Sequence, residues 1–217
     1  MTAGGGRPRV IAIDGTAGSG KTTLARRLAA HFDLPFLDTG LLYRVVARRV
    51  LDAGGDPEDP AAALRAARSL ELADLGRTDL RDEAVSQGAS QVAALRPVRE
   101  ALLPVQRRFA AQPRGAVLAG RDIGTVVCPD AGHKIFVTAS AEIRAERRLA
   151  ELRGRGMPAT YGVVLQDLRR RDARDQSRAF APLSPAPDAL VLDTTGLDAE
   201  AAFAKARDYV GGDGGAR

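Results

Sequence analysis

The sequence predicts an α/β fold of three layers, α/β/α, with a central parallel sheet of five strands. Three observations carry this. Short apolar runs alternate with longer amphipathic ones, as strands joined by crossover helices require. The chain has 217 residues, 45% hydrophobic and 27% charged, which suits one domain carrying an inserted lobe. No stretch approaches the ~18–20 uninterrupted apolar residues of a membrane span. Residues 1–10 lack the apolar core of a signal peptide, so a cytoplasmic chain with no membrane partner is expected.

The elements follow in order. Arg9 to Asp14 reads as a buried strand, and Gly20 to His31 as a helix. Pro35 to Leu37 is a second short strand. Gly40 to Ala53 reads as a helix that ends at Gly54-Gly55, with Thr39 as its cap. Pro60 to Leu70 is an alanine-rich helix with proline in its first turn. Leu72 to Arg81 has no clear period and reads as irregular. Asp82 to Ala94 and Pro97 to Gln112 are helices broken by Arg96-Pro97. Ala116 to Ala119 and Lys134 to Val137 are the third and fourth strands. Ser140 caps a helix that runs through Arg153, and Gly154 and Gly156 end it. Tyr161 to Arg178 is a helix and Ala189 to Asp193 the fifth strand. Asp198 caps a last helix to about Val210, before a fraying Gly-rich tail. Asp38 to Gln112 holds helices without a strong strand and reads as an insertion into the α/β core. No internal repeat is present.

Charge raises a second possibility. The formal net charge is +5 and the pI ≈ 10.0, which invites a nucleic-acid reading. Yet lysine occurs only at positions 21, 134 and 205, so 29 of the 32 basic residues are arginine, the side chain that grips phosphate bidentately. Base-composition bias in the gene is the alternative source of so much arginine and alanine. Aromatics at 4% leave little for stacking on single strands. The lone Cys128 cannot form an internal disulfide, and with two distant histidines no Cys/His metal cluster fits in one chain.

Gly15-Thr16-Ala17-Gly18-Ser19-Gly20-Lys21-Thr22 fits G-x-x-x-x-G-K-[ST] at every fixed position, between an apolar strand and a helix. The glycines let successive backbone N–H groups converge on phosphate oxygens, and the helix N-terminus adds partial positive charge. Lys21 can reach the β- and γ-phosphates, and Thr22 can ligate Mg²⁺. The fold is therefore of the P-loop NTPase type. The chain contains no asparagine, so the Asn-Lys-x-Asp site of a GTPase is absent, and it is short for an ATPase motor.

Several arginines stand where a second anion could sit. Thr39 and Arg44 open the helix after the second strand. Arg121 and Asp122 follow the third strand, at the carboxyl edge where open α/β sheets bind ligands; a solvated loop pair is the plainer reading. Arg144, Arg147 and Arg148 share a helix face, either solvated or turned to a ligand. Tyr161, Val164, Leu165 and Leu168 form an apolar stripe that Arg171, Asp175 and Arg178 continue. Charges on a core-facing stripe are costly unless they are paired or line a cleft, and a ligand cleft is the favoured reading.

At this point the residues resemble a known family. The phosphate loop, Asp38-Thr39-Gly40-Leu41-Leu42-Tyr43-Arg44, the segments Ala89–Ala94 and Val98–Leu102, Gly120-Arg121-Asp122-Ile123-Gly124-Thr125-Val126-Val127, Lys134–Ser140, Arg171-Asp172-x-Arg174-Asp175-x-x-Arg178 with Ala181-Pro182-Leu183, and Asp188–Thr195 are similar to bacterial cytidylate kinase, in order along nearly the whole chain. The resemblance implies transfer of the ATP γ-phosphoryl to CMP or dCMP with Mg²⁺. It implies a core at about residues 7–37, 113–153 and 181–212. A monophosphate-binding insertion is implied at about 38–112 and a lid at about 144–180, with Gly154 and Gly156 supplying backbone freedom. Carried over by position, Gly15 to Thr23 with Arg144 and Arg148 would bind ATP, the two arginines from the lid. Ser90, Arg99 and Asp122 would read cytosine, and Asp175 the pentose. Thr39 and Tyr43 would contact the nucleoside monophosphate. Arg44, Arg121, Arg171 and Arg178 would hold the acceptor phosphate or the group in transfer, making Lys21, Arg121, Arg171 and Arg178 the catalytic set. The resemblance further implies small-molecule substrates, no nucleic acid and a monomer. UMP or another small acceptor on the same fold, and a basic nucleic-acid binder, are the alternatives.

The chain departs from the family at three places. Thr16 stands where proline is usual. Ala119 stands where an acidic residue commonly precedes Gly-Arg-Asp, which removes a carboxylate near the Mg²⁺. On that ground Ala119→Asp is expected to lower the Mg²⁺ requirement. Leu72 to Arg81 is shorter than the family's usual insertion, so the lobe is trimmed.

Overall fold

A computed structural model describes residues 9–212. The N-terminal residues read against a signal peptide and the Gly-rich tail lie largely outside that range. Strands β1 (Val10–Gly15), β2 (Phe36–Asp38), β3 (Ala116–Gly120), β4 (His133–Thr138) and β5 (Leu190–Asp193) form one parallel sheet in the order β2-β3-β1-β4-β5. β1 lies at its centre, with Ile13 beside Ala119 of β3 and Ile135 of β4.

The chain divides into two compact units. One runs to Leu37, takes in Arg107–Ser140 and resumes at Ser184; the other holds Asp38–Gln106 and Ala141–Leu183. In the first unit, helices α1 (Lys21–His31) and α8 (Ala199–Gly211) cover one face of the sheet. Leu24, Ala25, Leu28 and Ala29 of α1 and Ala202, Ala206 and Val210 of α8 meet Ile11, Ile13, Val117, Ala119, Ile135 and Val137 there. The helical 1-5-9 spacing against the period-two strand pattern builds this layer. Truncating a fully buried side chain such as Leu28 to Ala would cost roughly 2–5 kcal/mol. Asp198 caps α8, accepting from Ala201 N at 2.7 Å.

The second unit is helical: α2 (Thr39–Asp52), α3 (Pro60–Arg68), α4 (Glu83–Val92), most of α5 (Arg96–Ala110), α6 (Ala141–Gly154) and α7 (Tyr161–Gln176). The cap of α2 is Asp38, whose Oδ1 accepts from Gly40 N at 3.1 Å, and Thr39 is the first helical residue, which corrects the expectation that Thr39 caps it. A carboxylate one residue earlier reaches the same first-turn N–H groups and gains more from the helix dipole. Leu72 to Arg81 is not irregular but folds as two 3₁₀ turns, Leu72–Gly76 and Thr78–Arg81. Each is too short to display a period, and Arg49–Asp74 and Arg77–Asp52 ion pairs tie them to α2. α5 starts at Arg96, one residue before the expected Pro97, which lies in its first turn, where its missing N–H is harmless.

Candidate active site

The phosphate loop is built by close backbone approach. A Cβ on Gly15 would lie 2.0 Å from the Val137 carbonyl oxygen, so only glycine lets β1 pass β4 at this point. Gly20, at φ 88°, is in the left-handed region that starts α1 without a side-chain cap. The loop then closes on itself. Ser19, 1% exposed, donates its hydroxyl to the Thr16 carbonyl at 3.0 Å, and Lys21 Nζ donates to the same oxygen at 3.2 Å. Thr194 Oγ1 donates to Ser19 O at 3.2 Å and fixes the loop to the end of β5. Thr16 Oγ1 is buried with no hydrogen-bond partner among the described residues. Ala17, Gly18, Thr22 and Thr23 complete the turn and open α1.

Arg121 and Asp122 stand beside this loop in the same unit. Arg121 Nη1 donates to Gly15 O at 2.8 Å, and Asp122 is buried. The chain then makes a π-helical turn, Ile123–Val127, which no local residue pattern signals. Its anchor is Asp14, the last polar residue of an apolar strand. The Asp14 carboxylate accepts from Ile123 N at 2.7 Å and Gly124 N at 2.8 Å. Burial raises its pKa to about 6 against the lowering effect of those two N–H groups. One carboxylate thus couples the strand that ends in the phosphate loop to the turn that follows Arg121 and Asp122. Cys128 ends that turn, and burial pushes its thiol up to about 11, which suits a packing residue rather than a nucleophile.

The second unit carries the remaining candidates. Thr39 and Tyr43 are buried on α2. Arg44 Nη1 donates to Leu80 O at 2.8 Å and Ser86 Oγ at 2.7 Å. Its pKa is lowered first by burial and then by the charge of Arg171, with Arg148 adding to the effect. Arg148 and Arg171 share one carboxylate: Glu83 Oε2 lies 3.2 Å from Arg148 and Oε1 3.1 Å from Arg171. Arg148 Nη1 also pairs with Glu151 at 2.8 Å, so Arg44, Arg148 and Arg171 gather on the Glu83 side of this unit, a set of guanidinium groups suited to grip an anion. Arg144 pairs through both nitrogens with Asp172, at 3.1 and 2.8 Å. Arg178 and Asp175 form an ion pair, each side chain 5% exposed. Leu168 and Val164 are buried about two and three turns before Asp175, so the stripe passes from apolar to charged, but Tyr161 is exposed and Arg178 lies beyond the end of α7 at Gln176, which shortens the expected helix and stripe. Arg99 is buried, donates to Ala93 O at 3.1 Å and stands 5.5 Å from the Tyr43 ring centroid. Ser90 accepts from Arg174 Nη1 at 2.6 Å.

Comparison with known proteins decides the family. A cytidylate kinase profile matches residues 11–210. The chain belongs to the cytidylate kinase family. It is 64% identical over 194 residues to a cytidylate kinase of Methylocella silvestris, covering 89% of this chain and 90% of that one. It is 60% identical over 205 residues to one from Paramagnetospirillum magneticum, covering 93% and 97%. The crystal structure of an uncharacterized protein from Eubacterium ventriosum superposes with a TM-score of 0.56 over 94% of this chain and 98% of that chain. At 16% identity it shows the fold alone.

Reading the sequence found the arginines but not the groups that hold them. Asp14, Glu83, Asp172 and Arg174 were assigned no role. Asp14 could have been found as the one charge in an apolar strand. Glu83 is a first-turn acid on a helix, a place where acids are common for reasons of capping alone.

Proposed function

We propose that this member of the cytidylate kinase family transfers the γ-phosphoryl group of ATP directly to CMP or dCMP, giving ADP and CDP or dCDP. The observation that carries the reading is the pairing, in one chain, of a complete phosphate loop with a cluster of partly buried arginines, Arg44, Arg148 and Arg171, gathered about Glu83. The loop suits the donor triphosphate. Lys21 lies against the loop backbone, where it can neutralise charge on the β- and γ-phosphates. Arg44, Arg121, Arg171 and Arg178 suit the acceptor phosphate and the charge of the group in transfer. Ser90, Arg99 and Asp122 suit the cytosine edge, Asp175 the pentose, and Thr39 and Tyr43 the monophosphate nucleoside. Arg144 and Arg148 suit the ATP side.

Phosphoryl transfer asks little covalent chemistry of a protein. It asks for alignment of the attacking oxygen, phosphorus and leaving oxygen, and for neutralised charge. Guanidinium groups that keep water out also keep it from accepting the phosphoryl group. Thr22, half-buried in the first turn of α1, offers the kind of hydroxyl that a nucleotide-bound Mg²⁺ accepts. When bound, that ion supplies charge neutralisation between the donor phosphates. In this reading the enzyme acts as a cytoplasmic monomer on small molecules. That Arg144, Arg148, Arg171 and Arg178 each meet a carboxylate supports a phosphate site over a nucleic-acid face. No helix among the described residues is long and apolar enough to cross a membrane.

A coupled ADP-release assay with ATP and Mg²⁺ against CMP, dCMP, UMP, AMP and GMP tests the proposal. Turnover strongest with CMP and dCMP is expected. Turnover with none of the five, in a folded protein that binds ATP, would overturn the acceptor assignment.

A further inference from the structure

One arginine of α7 behaves unlike its neighbours. Arg144, Arg148, Arg171 and Arg178 each engage a carboxylate. Arg174, on α7 with Arg171 and four residues before Arg178, engages a hydroxyl. Its Nη1 donates to Ser90 Oγ at 2.6 Å, and no carboxylate among the described residues lies within ion-pair distance of it. Both side chains are half-buried. For Ser90 this is the one side-chain hydrogen bond among the described residues, although a helical serine commonly turns its hydroxyl back to the preceding turn.

We propose that Arg174 is a positioning residue that fixes the Ser90 hydroxyl and so sets the discrimination between cytosine and uracil monophosphates. The proposal rests on the reading above that Ser90 faces the base. A serine hydroxyl carries one donor and two lone pairs, and it rotates to suit its surroundings. Cytosine and uracil are isosteric on the edge that distinguishes them. At ring position 3 an acceptor in cytosine becomes an N–H donor in uracil, and at position 4 an amino donor becomes a carbonyl acceptor. A hydroxyl free to rotate satisfies either base and discriminates poorly. A guanidinium donor changes this. It occupies one lone pair through a charge-assisted bond, the stronger class of hydrogen bond. It also repels the hydroxyl proton, so the remaining O–H and lone pair face fixed directions. The base with the wrong donor pattern then leaves a desolvated polar group unpaired, the arrangement that gives polar sites their large selectivities. Arg174 would act on the substrate only through Ser90.

The test is steady-state kinetics with ATP against CMP and UMP. The variants are Arg174→Met, which keeps an apolar stem but removes the donor, Arg174→Lys, which restores a cationic donor, Ser90→Ala, and Ser90→Ala with Arg174→Met. Arg174→Met is expected to narrow the CMP-to-UMP ratio of kcat/KM by about tenfold, the size of one charged hydrogen bond. The change should come through KM for CMP, with KM for ATP unchanged. Arg174→Lys should regain most of the ratio, and the double variant should match Ser90→Ala alone. If Arg174→Met lowers kcat/KM equally for both monophosphates, or adds in full to Ser90→Ala, the proposal is overturned. A changed ratio in Ser90→Ala with a wild-type ratio in Arg174→Met overturns the proposal alone. A wild-type ratio in Ser90→Ala overturns the base-reading assignment and the proposal with it. Should Arg174→Met not fold, Arg174→Leu, which likewise removes the donor, replaces it, with the same expected narrowing and the same overturning result.

Discussion

In the phosphate-loop unit, recognition is built from backbone. Gly15 admits a close strand approach, Gly20 turns the chain into α1, and Ser19, Lys21 and Thr194 lace the loop carbonyls together. In the other unit, recognition is built from long charged side chains, each held by other side chains: Arg148 by Glu83 and Glu151, Arg171 by Glu83, Arg144 by Asp172, Arg178 by Asp175. The difference teaches how each half can fail. A backbone site has fixed geometry and is lost when its fold is lost. A side-chain network is tunable, because the carboxylates that hold the arginines also compete with the incoming phosphate.

The largest effect is expected at the loop. Lys21→Ala should lower kcat by roughly 10²–10³-fold, as removal of one preorganised charged donor does, while KM for CMP stays near its wild-type value. A loss confined to KM for CMP would contradict the assignment of the loop to the donor triphosphate. Next is Ala119→Asp. The sequence alone suggested a lower Mg²⁺ requirement, but Ala119 is 0% exposed within the apolar layer under α1 and α8. A carboxylate there has no partner, so the first expected outcome is a loss of about 3 kcal/mol or more in denaturant unfolding. Unchanged stability would mean that the new carboxylate escapes the layer.

Asp14 sharpens the comparison through pH. Its folded pKa of about 6 lies above the ordinary carboxylate range. Between about pH 4 and 6 the folded state therefore binds more protons than the unfolded state, and stability from this group is lost as pH rises. Asp14→Asn removes that dependence. The stability of wild type relative to Asp14→Asn should thus fall from pH 4 to pH 7, by on the order of 2–3 kcal/mol. A constant difference would place the titration elsewhere. The smallest effect is expected at Glu83, whose side chain is 45% exposed. Glu83→Gln should change stability by less than about 1 kcal/mol. It should also lower KM for CMP by about threefold, since Arg171 loses a competitor for the acceptor phosphate. A raised KM would show that Glu83 serves to position the arginines rather than to compete.

This contrast also explains what could be read in advance. Five strands and the main helices were legible because apolar periodicity records them, and the phosphate loop because its glycines and Lys21 have fixed spacing. Arg171 and Asp175 were legible because they put charge in line with an apolar stripe on α7, and Arg178 because it follows within one turn. Glu83, Asp172 and Arg174 were not, because a partner brought in from another helix leaves no local pattern. The two 3₁₀ turns of Leu72–Arg81 and the π-helical turn at Ile123–Val127 are held by contacts distant in sequence, such as Arg49 with Asp74 and Asp14 with Gly124.

The central claim is that the phosphate loop and Arg99 serve different substrates, and Arg99→Ala tests it most directly. Steady-state kinetics should show KM for CMP rising by at least about tenfold, the loss of a buried charged donor, with KM for ATP unchanged. Equal rises in both constants would contradict the account.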